Sequence, residues 1–386
     1  MRLAHLMLVA RSAPRCSPRH MSEFIAPSDW FSALFGFREQ ASEIRKSLTL
    51  TDDNDLASTA NGASYGAGKF TTPSLGELRT VATHVGVPNG TLSLSHVATS
   101  DIFELHTSDE YAGATFLAAS QFNCLEFPYP EAIPEDGCTK YVFDPTQGPA
   151  CALAAPAATV VRHYFAKVGS AQIGQTASSQ INNLGDMLKA IQGSTGEGNG
   201  NLVVVRNGYT SSDSSRLDQF NQLIRSQAAT EDGREGLLGT LRIGLHSRVE
   251  VPWAAGARFT LRADRTERRH LVSQVFCSAL ACGYSDGSLE RWEPLAQLVL
   301  DASYEATLWA AAIEYAEGTG SGTVLLTALG GGVFENKDSW IEQAIARAIV
   351  RLSDVGLDVV MCHYRSIDER AVARLDAAIE KERGLV

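Results

Sequence analysis

The chain has 386 residues, 44% apolar and 20% charged, enough to bury a sizeable core in one large domain or in two. A formal net charge of −11 excludes broad nucleic-acid binding, which needs a basic face, although it leaves room for a pocket that takes a small anion. No apolar run reaches the ~18 residues of a membrane span, so no membrane partner is expected.

The first 22 residues are set apart as a presequence or dispensable segment. Arg2, Arg11, Arg15 and Arg19 precede the first acid, Glu23, and Leu6 to Ala10 form a short apolar patch. They read either as a mitochondrial presequence or as sequence ahead of a working start at Met21. The expected location is accordingly cytoplasmic, or mitochondrial under the first reading. Residues 23–90 form an N-terminal extension, helical over 23–60, in which Trp30, Phe31, Leu34, Phe35 and Phe37 are core. Asn61 to Phe70 imitates a phosphate loop and fails, because Ala63 replaces the first glycine and Phe70 the magnesium-binding Ser/Thr. It reads as a loop.

Strand-like runs follow at Thr91–Val97, Asp101–Leu105 and Ala114–Ala118. Past a proline- and acid-rich loop over 128–137 comes an alanine-rich segment, Ala150–Pro156, whose proline should interrupt a helix. Residues 166–265 read as an insertion, containing a flexible loop over 193–200 and a short buried strand over 202–205. A half-exposed strand over 241–251 would point Arg242, His246, Arg248 and Glu250 outward. The cations from Arg262 to His270 read as a solvated turn. The seven cysteines (Cys16, Cys124, Cys138, Cys151, Cys277, Cys282 and Cys362) show no C-x-x-C spacing. They read as reduced, mostly buried thiols, with neither a zinc site nor a disulfide framework.

From 272 onward strands and helices alternate. A strand over 272–280 precedes a helix opened by Pro294. The apolar run Val324 to Leu329 then breaks into Gly330, Gly331 and Gly332, and the next helix opens on Ser339 with Glu342 at capping-box spacing. A strand over 357–362 and a helix from about Ile367 finish the chain. Three glycines beyond the carboxyl end of a buried strand allow close approach of backbone N–H groups to a ligand, usually phosphate.

In order, four of these pieces resemble the macrodomain superfamily, the ADP-ribose-binding fold that also underlies the poly(ADP-ribose) glycohydrolases. Ser100-Asp101-Ile102 is similar to the family's Gly-Asp-Ile, whose aspartate holds adenine. Ala114–Ser120 resembles its Val-Asn-Ala-Ala-Asn strand, with Leu117 and Ser120 in place of the asparagines and Asn123 close behind. Gln147-Gly148-Pro149-Ala150 resembles the loop around the distal ribose, without the glycohydrolases' glutamate pair. Gly330 to Phe334 resembles the diphosphate loop, with Val333 following the glycines and Phe334 placed to pack on ribose.

The resemblance implies an α/β fold: a three-layer α/β/α mixed sheet over 91–386, carrying the 166–265 insertion and the N-terminal helical extension. It implies ligand contacts from Asp101, Ile102, Asn123, Gln147, Gly148, Pro149, Ala150, Gly330, Gly331, Gly332, Val333 and Phe334, with no metal and no cofactor. The expected partner is an ADP-ribose-like small molecule or an ADP-ribosylated protein. Hydrolysis of a ribosyl bond needs an acid or an oriented water as well, and Asn123, Glu126 and Asp144 are the candidates near the right loops. The alternatives are a non-catalytic ADP-ribose-binding module and a scaffold with a decayed pocket.

Overall fold

A computed structural model describes residues 24–129, 131–170, 172–193, 201–284 and 288–385; the arginine-rich start and the glycine-rich loop over 194–200 lie outside the described residues. Two short helices, α1 (Trp30–Phe35) and α2 (Ala41–Ser47), lead into an antiparallel sheet of β1 (Leu48–Leu50), β2 (Asp55–Ser58) and β3 (Ser64–Gly66). Helix therefore ends at Ser47, earlier than the 23–60 reading. The turn after β1 is closed by Asn54 at φ 60°, a conformation asparagine tolerates. The segment read as a loop over 61–70 instead contains β3 and the start of β4 (Lys69–Thr71). A capping box between Ser74 and Glu77 starts α3 (Leu75–Val85).

Next come β5 (Ser93–Thr99), α4 (Ile102–Thr107) and β6 (Thr115–Ala119). The strand expected over 101–105 is helix α4, because Asp101 caps it: its carboxylate accepts from the Phe103 N–H. Two helices, α5 (Gln147–Ala154) and α6 (Pro156–Tyr164), meet at Ala155, and Pro156 opens the second, as its missing N–H allows. Small hairpins β7 (Lys167–Val168) with β8 (Gln172–Ile173) and β9 (Val204–Arg206) with β10 (Tyr209–Ser211) flank α7 (Gly185–Gln192). The buried strand read over 202–205 is displaced to β9, and only Val203 of that stretch is fully buried. Helices α8 (Ser214–Gln227) and α9 (Glu231–Leu238) precede β11 (Gly244–Glu250) and β12 (Leu271–Cys277). The chain ends with α10 (Leu289–Ala316), β13 (Thr323–Leu326), α11 (Asp338–Arg351), β14 (Asp358–Tyr364) and α12 (Glu369–Arg383).

Two helix starts differ from the sequence reading. Helix α10 begins at Leu289 and carries Pro294 inside it, where burial of Trp292 and Leu295 outweighs the one lost backbone bond. Helix α11 begins at Asp338 with Lys337 at the cap, so the Ser339–Glu342 capping box does not form.

The main sheet has seven strands in the order β4-β11-β12-β6-β13-β14-β5. From β12 to β5 all neighbours are parallel, and β11 runs against both of its neighbours. The expected mixed sheet with helices on both faces is therefore present. Alternation along each central strand divides the core. Leu117, Val275, Val324, Leu326, Val359 and Met361 face a layer containing α3, α10 and α11. Phe116, Phe276, Leu325 and Val360 face the layer of α1, α4, α5 and α6. Among the described residues no helix is long and apolar enough to cross a membrane.

Strand β11 and the turn after it are more enclosed than the sequence suggested. His246 and Glu250 are buried, His246 against Phe70 and Arg162, Glu250 accepting from the Gly66 N–H. Four of the five cations over 262–270 are partnered, while Arg268 is exposed as the solvated-turn reading expects. Arg262 meets Asp109 at 2.7 Å, Arg265 meets Glu250 at 3.1 Å, and Arg269 meets Asp55 at 2.6 Å. His270 bonds the His106 carbonyl. Their partners are far away in the chain, where local spacing carries no signal of them.

Candidate functional site

At the carboxyl ends of β6, β12 and β13 a cavity of about 450 Å³ opens between two loops. One loop runs from Ser120 to Pro128 and is knitted by its own side chains. Gln121 receives the Phe127 N–H, Asn123 Oδ1 receives the Leu125 N–H, and Tyr141 Oη receives the Glu126 N–H at 3.0 Å. Cys124 takes φ 61° at the loop's sharpest point. This geometry turns the Glu126 carboxyl inward, into the cavity wall.

Glu126 is 2% exposed, and its Oε1 has no hydrogen-bond partner. Burial raises its carboxyl to about 8; Asp144 adds to the rise, while the Ser120 hydroxyl and the Arg162 charge offset part of it. The acid is thus largely protonated at neutral pH, a proton donor without an acceptor of its own. Arg162 lies behind the same loop, 1% exposed, stacked 3.6 Å over the Phe276 ring and donating to the Cys124 carbonyl. Among the described residues it has no carboxylate within ion-pair distance.

The start of α5 closes the cavity from the other side. Gln147 uses both ends of its amide on β6, accepting from the Ala119 N–H at 2.7 Å and donating to the Leu117 carbonyl at 2.8 Å. Gly148 then passes so close to β6 that a Cβ there would collide with the Ala119 carbonyl oxygen and with Glu126 Oε2. The amides of Gln147 and Gly148 meet no acceptor among the described residues and sit at the positive end of α5.

Opposite stands the glycine loop. Gly330 takes φ 76° and packs against Ala279 and Asn336 with no room for a side chain. The amides of Gly330, Gly332, Val333 and Phe334 also meet no acceptor among the described residues. Tyr209, Tyr284 and Phe334 form an edge-to-face trio, with centroids 5.9 to 6.1 Å apart, as an aromatic wall. Two sets of free N–H groups, an aromatic wall and one protonated acid suit an anionic ligand with a flat or sugar-like portion.

Of the residues named from sequence, Glu126, Asp144, Gln147, Gly148, Pro149, Gly330, Gly332, Val333 and Phe334 line this cavity. Asn123, Ala150, Gly331, Asp101 and Ile102 do not. The Asn123 amide is spent on Gln180 and on its own loop, and Ala150 and Ile102 are buried in packing. Gly331 faces Ile341, and its φ is not positive, so the conformational demand expected of it rests on Gly330. Asp101 lies at the carboxyl end of the edge strand β5, on the same end of the sheet, paired with Arg258 at 2.8 Å. Tyr209, Tyr284, Phe127 and Phe143 line the cavity and were not read from sequence; isolated aromatics in unrelated segments carry no spacing signal. No group of three or more metal-ligating side chains occurs among the described residues.

No family model and no curated protein matches the sequence. Among solved structures, the chain is similar to poly(ADP-ribose) glycohydrolase from Deinococcus radiodurans in complex with ADP-ribose, at 14% identity and a TM-score of 0.37, covering 82% of this chain and 95% of that one. It is also similar to poly(ADP-ribose) glycohydrolase from Thermomonospora curvata bound to the inhibitor ADP-HPD, at 12% identity and a TM-score of 0.38, covering 92% and 98%.

Proposed function

We propose that this cavity binds ADP-ribose or a related NAD-derived nucleotide and that Glu126 acts as general acid in hydrolysis of its ribosyl bond. The observation that carries the reading is a buried carboxyl with an unpartnered oxygen, set in the wall between two loops of free amides, and its burial favours the protonated form. An acid lifted toward neutral pH is suited to proton transfer. The glycine-loop amides take the diphosphate, and the Tyr209–Phe334 side receives ribose. Glu126 gives its proton to the departing oxygen as the anomeric C–O bond breaks. Water adds to the anomeric carbon and returns a proton to the carboxylate, so free nucleotide and a hydroxyl-bearing product leave.

A second reading, a binding module without catalysis, is favoured by Leu117 and Ser120, which supply no side-chain amide where the resembling strand has two asparagines. Leu125 and Phe127, which flank Glu126, also deny it a neighbouring carboxylate in sequence. Calorimetry with ADP-ribose and release of ADP-ribose from an ADP-ribosylated protein separate the two. Hydrolysis requires that the wild-type chain bind and release, and that Glu126→Gln bind and release nothing. Binding without release by the wild-type chain establishes the second reading, and absence of binding removes both.

A further inference from the structure

A second cavity, of about 610 Å³, lies away from the nucleotide site, between one face of β4 and β11 and the helices α3 and α10. Its walls are apolar where Leu78 and Val81 of α3 and Ile313 of α10 face Leu245 and Leu271. Its polar end is built around Glu314, which is 5% exposed and has neither carboxyl oxygen in a hydrogen bond. The Ser247 and Ser273 hydroxyls stand beside the carboxyl and ease its charge, and the Ser273 oxygen also receives the Arg248 N–H at 3.0 Å.

The backbone here is shaped for the cavity. Strand β11 bulges between His246 and Val249, and Arg248 takes φ 56°. A bulge re-aims side chains, and this one places Ser247 on the cavity floor and carries the Arg248 guanidinium to the Thr319 carbonyl at 3.4 Å. The other ionisable lining groups are Asp53, Asp55, Lys69, Arg269 and Glu317. Asp55 and Arg269 neutralise each other in a bidentate pair. The remainder is Asp53, Glu314 and Glu317 against Lys69 and Arg248.

A buried carboxyl with two weak hydroxyl neighbours and no cation in direct contact among the described residues is poorly compensated unless something supplies stronger donors. Metal is the poorer match, since no group of three metal-ligating side chains occurs among the described residues. We infer that this cavity is a binding site for a small organic cation, a primary ammonium head on an apolar body. The ammonium would donate to both oxygens of Glu314 and to the Ser247 hydroxyl, with its alkyl portion between Leu78, Val81, Leu245 and Ile313. An ammonium has three N–H donors, matching three acceptors at the closed end. Burial raises the Glu314 carboxyl above its ordinary range, so a cation there also makes ionisation favourable.

The test is calorimetric titration of the full chain with n-hexylamine, with 1-hexanol as the uncharged match. Saturable one-to-one binding of the amine alone is expected, unaffected by saturating ADP-ribose. It should weaken about tenfold or more in Glu314→Gln, as expected on losing a charged hydrogen bond. Should Glu314→Gln fail to fold, Ser247→Leu narrows the same end without removing a buried charge and should weaken binding likewise. Absence of saturable binding, equal binding of hexanol, displacement by ADP-ribose, or unchanged affinity in the variants overturns the assignment.

Discussion

Gly148 and Glu126 are in such close register that a single methyl group on residue 148 would overlap the acid's Oε2. Helix α5 reaches β6 only because that position lacks a side chain, and the same approach seals Glu126 from water. Dry surroundings are what lift the carboxyl, so the helix start and the buried acid are one construction.

Gly148→Ala should therefore injure the site more than the fold. The Cβ must displace the Ala119 carbonyl or Glu126, an overpacking cost of about 1–3 kcal/mol. Thermal unfolding should record that loss, while ADP-ribose release falls further than stability explains. Wild-type turnover in Gly148→Ala would show that the acid is not held in this geometry.

Glu126 also imposes a pH signature. Its native carboxyl titrates near 8, above an unfolded value near 4.5, so the folded state holds the proton more tightly. That contribution to stability is complete below about 4.5 and lost as pH rises through about 8, on the order of a few kcal/mol. Activity that needs the protonated acid should decline through the same upper limb. Glu126→Gln should abolish turnover and flatten the stability curve between about pH 4.5 and pH 8. A curve of unchanged slope in that variant would assign the titration to another group.

How far the site could be read in advance depended on what each residue's signal was. Glycine after a strand or at a helix start is a local pattern, so Gly148, Gly330, Gly332, Val333 and Phe334 are legible, though not the place of Gly331, as are the central strands, whose apolar runs are long. The Glu126 side chain was visible only as an acid near the right loop, because its burial comes from Tyr141, α5 and Arg162 folding over it. Asn123 looked available as a side-chain amide, yet its own loop consumes it. Tyr209 arrives from a hairpin some eighty residues downstream of that loop. Asp101 was read as strand because Ile102, Phe103 and Leu105 are apolar, whereas its capping bond to Phe103 decides for helix.

The glycine loop separates conformation from access. Gly330→Ala should destabilise by about 1–3 kcal/mol, since φ 76° and the Ala279 contact both oppose a side chain. Gly332→Ala meets open space and a permitted φ, so thermal stability should stay within about 0.5 kcal/mol of wild type. If the loop's amides hold phosphate, Gly332→Ala keeps affinity for ADP-ribose and Gly330→Ala loses it. Equal affinities in the two variants would detach the loop from binding.

Away from the cavity, Glu305 on α10 anchors three helices. Its fully buried carboxylate meets Arg79 of α3 at 2.6 Å and Arg347 and Arg351 of α11 at 2.7 and 3.1 Å. Burial opposes its charge, but the arginines prevail and hold the carboxyl below its ordinary range. A lowered native value means the stabilisation is present above about pH 4.5 and lost as pH falls through the native value. Glu305→Gln should cost about 3–5 kcal/mol at neutral pH by leaving three partly buried guanidinium groups to share Glu235 alone, with a smaller deficit in acid. A denaturation midpoint equal to wild type at pH 7 would show that Glu235, which also meets Arg79, Arg347 and Arg351, suffices alone.

Asp101 bears two duties in the structure, and a third is proposed for it. It caps α4 through Phe103, it pairs with Arg258, and the resemblance in sequence gives it the adenine. Substitutions can divide these. Asp101→Asn retains a capping oxygen and loses the charge, so stability should change by a few tenths of a kcal/mol. Asp101→Ala removes the cap as well, and about 1 kcal/mol of stability with it. If the carboxylate receives the adenine amino group, both variants should lose about 1–3 kcal/mol of ADP-ribose affinity. Arg258→Ala, which frees the carboxylate from its ion pair, should then bind at least as tightly as wild type. Calorimetry on the three variants decides the matter. Undiminished affinity in Asp101→Ala would leave the residue with the cap and the ion pair alone, and the base would have to be held elsewhere along the carboxyl ends of β14 and β5.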